Sequence, residues 1–347
     1  AAVSFIGEVQ GDPRFPERPG NLVLAEDTSK AMIHELVKRG TIDGAHLWPQ
    51  LGHAGALSFL PISQPQGPSA LAIEGFQCAS MRIEDILELP HMYATAALHA
   101  KSAGFGGVLI HAGHGFLLSQ FLSPLFNHRT DAYGGSIEAR CHIVLDVIRT
   151  VRRAVGSAFP VGIRINSTDM LEGGLSEHDA LEVVRLLDRT SVDLIDISGG
   201  TYFPGAKASS DSLTKGPYFL DFSRRVKEVT KVPVILTGGF KTREQAVDAI
   251  VSGAADMVGL ARAMTLNPQL ANDWLTKKGG DPKFPIFDSN PEGGVTAWYT
   301  MRLTALAEDR EDTFNLDLPM AMRMYEERDA RRCIKWRAKF SYLHTLI

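Results

Sequence analysis

Long apolar runs, paired cysteines and an excess of charge of either sign are all missing from this chain of 347 residues. No stretch approaches the roughly 18 consecutive apolar residues of a membrane-spanning helix. The opening AAVSFIGEVQ has neither the basic start nor the long apolar stretch of an export signal. Cys78, Cys141 and Cys333 lie far apart without C-x-x-C spacing, which argues against a disulfide framework and a thiolate metal site and makes a reducing cytoplasm the expected compartment. A net charge of -4 with scattered basic residues gives no electrostatic reason to expect nucleic acid or an anionic membrane as a partner. A glycine fingerprint after the first strand is missing too, because GEVQGDPRFPERPG leads into a loop rather than a helix.

What is present is a chain with 44% hydrophobic and 22% charged residues, ordinary for a soluble globular protein. Short β-branched runs alternate with helical patterns. Strands are expected at 3–9, 45–51, 106–112, 160–166, 193–199, 233–239 and 256–262. Ser136 can cap a helix with the apolar stripe Ile143, Val144, Val147, Ile148 and Val151 and a stop at Gly156. Thr242 with Gln245, and Ser176 with Asp179, open two more helices in the same way. Strands apolar at nearly every position, each followed by an amphipathic helix, mean a parallel sheet buried on both faces.

The strand ends decide between an open doubly wound sheet and a barrel. Polar or glycine-rich residues stand at Gln50, at His111 with His114, at Arg164, at Ser198 with Gly199, at Gly238 with Gly239, and at Arg262. A doubly wound sheet gathers such residues at one switch point, whereas a (β/α)8 barrel spreads them over many carboxyl ends. The fold class is therefore α/β, a TIM (β/α)8-type barrel with seven of its eight strands recognisable. The two glycine-and-arginine ends that look like a phosphate cradle are sixth and seventh among the strands, and become seventh and eighth if one unit is missing in front. The first βα unit, roughly 30 to 50 residues, is thus expected to be missing. The barrel is expected over 1–270 and a helical extension over 271–347, whose apolar faces, with Met320, Met324 and Tyr325, would pack on the barrel or, in a homo-oligomer, on a second subunit.

The stretch HAGHGFLLSQFLSPLFNHRTDAYGGSIEAR, starting at His111, resembles the signature of the old yellow enzyme family of FMN-dependent NAD(P)H:flavin oxidoreductases and ene-reductases. The resemblance runs from residue 1 to about 270 and includes LWPQLGHAG, VGIRIN, ISGGTY, PVILTGG and VGLAR. It implies FMN as cofactor, NADH or NADPH as reductant, and a small electron acceptor such as an activated alkene, enone or quinone. It also implies roles. Gly238 and Gly239, the backbone of Ala261 and Arg262, and the Arg262 guanidinium would hold the phosphate. Gln50 would read the carbonyl and imide edge of the flavin, Arg164 would face its anionic pyrimidine, and Ser198 and Gly199 would complete the cofactor contacts. His111 and His114 would donate hydrogen bonds to the acceptor's oxygen. A metal pair is the rival for the two imidazoles, but no carboxylate or thiolate stands at ligand spacing, so no metal is expected.

Phe116 departs from the family pattern, which has a tyrosine there as the acid that protonates the product. Either water or another hydroxyl, with Tyr202 a candidate, supplies that proton, or hydride shuttling without net reduction dominates. The alternative is a family member that no longer catalyses and serves as a binding protein or is an incomplete gene product. A flavin-free lyase or aldolase is disfavoured, since no lysine ends a predicted strand to form a Schiff base. The loop NHRTDAYGGS, residues 127–136, reads as structural, with Arg129 pairing with Asp131 and two glycines turning the chain into the helix at Ser136.

Overall fold

Each of the seven expected runs forms a strand in the computed structural model, which describes residues 2–25, 28–73, 76–206, 216–288 and 291–341. They are β1 (Val3–Gln10), β3 (His46–Gly52), β4 (Val108–Ala112), β5 (Val161–Asn166), β6 (Leu194–Ser198), β7 (Val234–Thr237) and β8 (Met257–Gly259). A further two-residue strand, β2 (Leu22–Val23), pairs with the free side of β1. The chain divides into two compact units, Ala1–Gly239 with Val247–Gly259, and Phe240–Ala246 with Leu260–Ile347.

The first unit holds a curled parallel sheet of eight strands in the order β8-β7-β6-β5-β4-β3-β1-β2. From β3 to β8 every strand lies beside its predecessor in the chain, with no reversal of direction across the sheet. That winding belongs to a TIM-type barrel and differs from a doubly wound sheet, whose order turns back at a switch point. The central strands β4 and β6 are buried at every position and β5 at all but Arg164, as strands covered on both faces must be. Register then makes a row of three: His111 stands opposite Arg164, and Arg164 opposite Asp196, so all three side chains leave the same face near the carboxyl ends.

Local signals position the covering helices. In α4 (Ile137–Val155) the Ser136 hydroxyl accepts from the Ala139 amide at 3.4 Å, and Gly156 ends the helix at a φ of 79°, a conformation glycine adopts without strain. Its stripe Ile143, Val144, Val147, Ile148 and Val151 is buried, and the helix packs on α2 (Ile83–Ser102), in which Ala96, Ala97 and Ala100 are buried too. In α5 (Glu177–Leu187) the Ser176 hydroxyl accepts from the Asp179 amide at 3.1 Å. The stretch 58–80, for which the sequence predicts no conformation, contains short strands at Gln66–Gly67, Leu71–Ile73 and Phe76–Ser80. Its Leu71 and Cys78 pack with Ala56, Phe126 and Phe203 in one apolar cluster.

The second unit opens with a reciprocal capping box, the Gln245 backbone amide donating to the Thr242 hydroxyl at 3.2 Å and the Gln245 side-chain Oε1 accepting from the Thr242 backbone amide at 3.3 Å. Its core joins Trp298, Tyr299 and Met301 to Leu318 and Ala321, with Met324 and Tyr325 at the margin. Met320 is 41% exposed in the single chain.

Candidate functional site

The two histidines of the motif are brought together by a turn that ordinary residues avoid. Strand β4 ends at Ala112, and His114 then takes a φ of 58°, a left-handed conformation costing a side-chain-bearing residue about 1–2 kcal/mol. Asn166 at the end of β5 holds it there, its Oδ1 accepting from the His114 backbone amide at 2.9 Å. Gly115 follows with a φ of 80°, against Thr201, where a side chain would collide. The result sets the His111 Nε2 3.1 Å from the His114 Nδ1. Beyond it, the His114 Nε2 lies 2.8 Å from the Ser198 hydroxyl at the end of β6.

His111 also anchors a wider polar net. Its Nδ1 lies 2.6 Å from the Glu8 Oε1 and 3.2 Å from the Gln50 Nε2, which itself donates to Glu8. Arg164 donates to the Gln50 Oε1 at 2.5 Å, and through Nε and Nη2 to Asp196. The second oxygen of Asp196 accepts from the Thr237 hydroxyl at 2.7 Å. The carboxyl ends of β1, β3, β4, β5, β6 and β7 are thereby joined by hydrogen bonds. A strand-borne arginine among apolar residues needs a buried anion, and the protein supplies one in Asp196, which is fully buried.

Burial governs the protonation of the net. Loss of water pushes the Glu8 carboxyl up to about 8, against the lowering effects of the Gln50 hydrogen bond and the Arg164 charge. Burial pulls His111 well below its ordinary value; the Arg164 charge adds to this and Asp196 opposes it. His114 is lowered in the same sense by burial, by His111 and by Arg164. At neutral pH both imidazoles are uncharged, each with one N–H to donate and one lone pair to accept.

The other predicted residues fall in separate places. Phe116, at the start of α3 (Leu117–Leu122), is buried with its ring 5.0 Å from that of His111. Tyr202 is 64% exposed, its ring 6.0 Å from His114 and 5.7 Å from Phe116. Gly199 lies beside the Phe219 ring and the Ser167 hydroxyl, where a Cβ would sit 2.6 Å and 2.9 Å from them. Gly238 and Gly239 follow β7 with φ of 114° and 84°, and a Cβ on Gly239 would lie 3.0 Å from the Pro217 Cα. Ala261 and Arg262 open the short helix Arg262–Leu266 of the second unit, where the guanidinium lies 5.4 Å from the centre of the Tyr299 ring. Among the described residues no group of three His, Cys, Asp or Glu side chains is arranged to hold a metal ion.

Sequence reasoning missed Glu8, Asp196 and Thr237. The signal that singled out Arg164, a charged residue inside an apolar strand, was equally present at Glu8 in VSFIGEV and at Asp196 in DLIDIS. In the rest of the motif the expected pair of Arg129 with Asp131 is present. The Asn127 amide donates to the Phe121 carbonyl at 2.8 Å and the Tyr133 carbonyl at 2.7 Å, and Arg129 pairs with Asp131 while donating to the Pro68 and Met81 carbonyls.

Comparison with known proteins identifies the family. Residues 23–277 match the model of the NADH:flavin oxidoreductase / NADH oxidase family. The NADH-dependent flavin oxidoreductase iliE of Neonectria sp. (strain DH2) is 38% identical over 237 residues, covering 65% of this chain and 30% of that protein. Its namesake in Hypocrea jecorina (strain QM6a) is 38% identical over 250 residues, covering 70% of this chain and 59% of that protein. The chain thus spans less than two thirds of the length of either relative. The old yellow enzyme homologue from Zymomonas mobilis superposes with a TM-score of 0.69 at 23% identity, covering 84% of each chain, a likeness of fold. A family match across most of the chain, on a parallel sheet wound in barrel order with the paired histidines at its carboxyl end, leaves one conclusion: the chain belongs to the NADH:flavin oxidoreductase / NADH oxidase family, the old yellow enzyme family its histidine motif resembles.

Proposed function

We propose that this chain is an FMN-dependent oxidoreductase that passes hydride from NADH or NADPH to a small electron-poor acceptor, an activated alkene, enone or quinone. The observation that carries this reading is the hydrogen-bonded His111 and His114 pair, tied through Gln50 to Arg164 at the carboxyl ends of the strands. The donor set suits a flavin. Gln50 offers an amide that both donates and accepts, Arg164 offers a fixed cation, and the buried Glu8 Oε2 has no hydrogen-bond partner among the described residues. When bound, FMN would take hydride from the nicotinamide and deliver it to the acceptor.

Gln50 and Arg164 would hold the polar edge of the ring, with Ser198 and Gly199 beside it and the Gly238–Gly239 turn toward the phosphate. The part expected of Ala261 and Arg262 is carried by the family resemblance alone. His111 and His114 would donate to the acceptor's oxygen, drawing charge from the carbon that is attacked. Phe116 has no proton to give, so the proton that completes reduction comes from water, from Tyr202 or from the histidine chain itself.

The test is direct. The purified chain should bind added FMN, seen as a shifted visible spectrum and quenched flavin fluorescence, and should oxidise NADH or NADPH in the presence of an enone or quinone. His114→Ala should retain FMN and lose about 10²–10³-fold in kcat for the acceptor. A chain that takes up no FMN sinks the reading. Phe116 favours a second one, a flavin-binding relative without turnover, which would bind FMN yet reduce no acceptor, with Phe116→Tyr restoring the reaction.

A further inference from the structure

The hydrogen-bond chain that ends at Ser198 begins outside the histidine motif, at a carboxyl on β1. Glu8 Oε1, His111 Nδ1, His111 Nε2, His114 Nδ1, His114 Nε2 and Ser198 Oγ follow one another at 2.6, 3.1 and 2.8 Å across the three hydrogen bonds. Both imidazoles stay neutral through the physiological range, so each has two tautomers; the Gln50 Nε2, which can only donate, also stands 3.2 Å from the His111 Nδ1, and from that nitrogen onward the choice of tautomer at one link dictates the choice at the next.

We propose that Glu8 is the positioning residue that sets the tautomers of His111 and His114, and that it stores a proton which leaves the site at the Nε2 of His114. When Glu8 is neutral, its Oε1 hydroxyl donates to the His111 Nδ1. His111 then carries its proton on Nε2 and donates to the His114 Nδ1, and His114 presents an Nε2–H toward Ser198. When Glu8 is ionised, Oε1 accepts from the His111 Nδ1–H, the His111 Nε2 accepts from the His114 Nδ1–H, and the His114 Nε2 becomes an acceptor. The balance is one proton. Glu8 gives its proton to the His111 Nδ1, the Nε2 proton of His111 passes to the His114 Nδ1, and the Nε2 proton of His114 departs. No electron moves and no other bond changes.

The geometry favours the proton on Oε1 over Oε2. Oε2 is buried without a partner among the described residues, whereas a hydroxyl on Oε1 has the His111 lone pair as acceptor. The groups facing Glu8 come from every side of the site. They are Gln50 on β3, His111 on β4 with His114 beyond it, Arg164 on β5 with its partner Asp196 on β6, and Tyr93 on α2, whose own ionisation the Glu8 charge opposes. Arg164 favours the anion; burial opposes it and prevails, placing the transition at about 8. The neutral, donating state is therefore the one present at pH 7. Its use in catalysis rests on the hydride-transfer reading, in which the Nε2–H of His114 would supply the proton that Phe116 cannot.

Long-range 1H–15N correlation spectra of the full chain with 15N-labelled histidine, taken between pH 6 and 10, read the tautomers without any turnover. His111→Gln and His114→Gln assign the two signals. Both should pass from the Nε2–H to the Nδ1–H form with a midpoint about 8, and in Glu8→Gln both should keep one form throughout. Constant tautomers in the unsubstituted chain, or a transition that persists in Glu8→Gln, overturn the proposal. In turnover, kcat with an enone should fall along an alkaline limb near the same pH, and Glu8→Gln should remove that limb. A tautomer transition in a protein that reduces no acceptor upholds the Glu8 assignment and overturns the hydride-transfer reading instead.

Discussion

Two polar regions, one in the loop of the motif and one at the strand ends where its two histidines stand, close their hydrogen bonds differently. In the loop 127–140, Asn127 satisfies two backbone carbonyls, Arg129 bridges Asp131 and two more, and Arg140 pairs with Asp179 at 2.7 Å. Arg129 holds the Asp131 carboxyl below its usual range, and Arg129 and Arg140 each meet an opposite charge. At the strand ends, Glu8 carries an oxygen without a hydrogen-bond partner among the described residues, its carboxyl is pushed up, and His111 and His114 are pushed down. The loop spends its polar groups on holding the backbone. The strand ends leave groups whose protonation is unsettled by burial, the condition for handling a proton or an electron-poor ligand.

The comparison can be broken in three places. The largest effect is expected from Arg164→Leu, which strips Asp196 of its cation in a fully buried position and should cost about 3–5 kcal/mol in urea unfolding. A smaller loss would mean that water reaches the site and that its charges are weakly coupled.

Next comes acid. His53, just past the end of β3 and stacked on Phe15 at 4.4 Å, is lowered by burial from 6.5 to about 4. The unfolded chain therefore binds a proton that the fold refuses, and the stability that neutral His53 contributes, on the order of 3 kcal/mol, is present above pH 6.5 and lost as pH falls toward 4. The urea midpoint measured from pH 7 to 4 should fall over that window, and His53→Gln should flatten the fall. The third expectation concerns the loop. Asn127→Ala leaves two buried carbonyls without donors and should cost about 2 kcal/mol, while FMN uptake at saturating cofactor stays unchanged. If FMN uptake fell while the fold held, the loop would belong to the site after all.

Much of this was legible beforehand. The strands showed because apolar runs at regular spacing report burial on both faces, and Ser136, Ser176 and Thr242 showed because a cap is decided within four residues. The paired histidines were legible from their spacing, and Arg164 from its incongruity in an apolar strand. Glu8 was not, although the same incongruity marked it. Its meaning depends on His111, which β3 separates from it in the sheet. The short strand Leu22–Val23 and those of the stretch 58–80 were hidden too, since they are too short to carry a period and owe their pairing to the neighbours they reach.

What the sequence alone determined is the alternation of strand and helix, the barrel order and the place of the two imidazoles, because each rests on interactions between residues a few positions apart. What only the tertiary structure decided is the state of the site. Whether Glu8 holds its proton, which way the imidazoles donate, and where Arg164 finds its anion all depend on how much water is excluded and which charge is brought near, and both are set by strands that meet only when the sheet has formed.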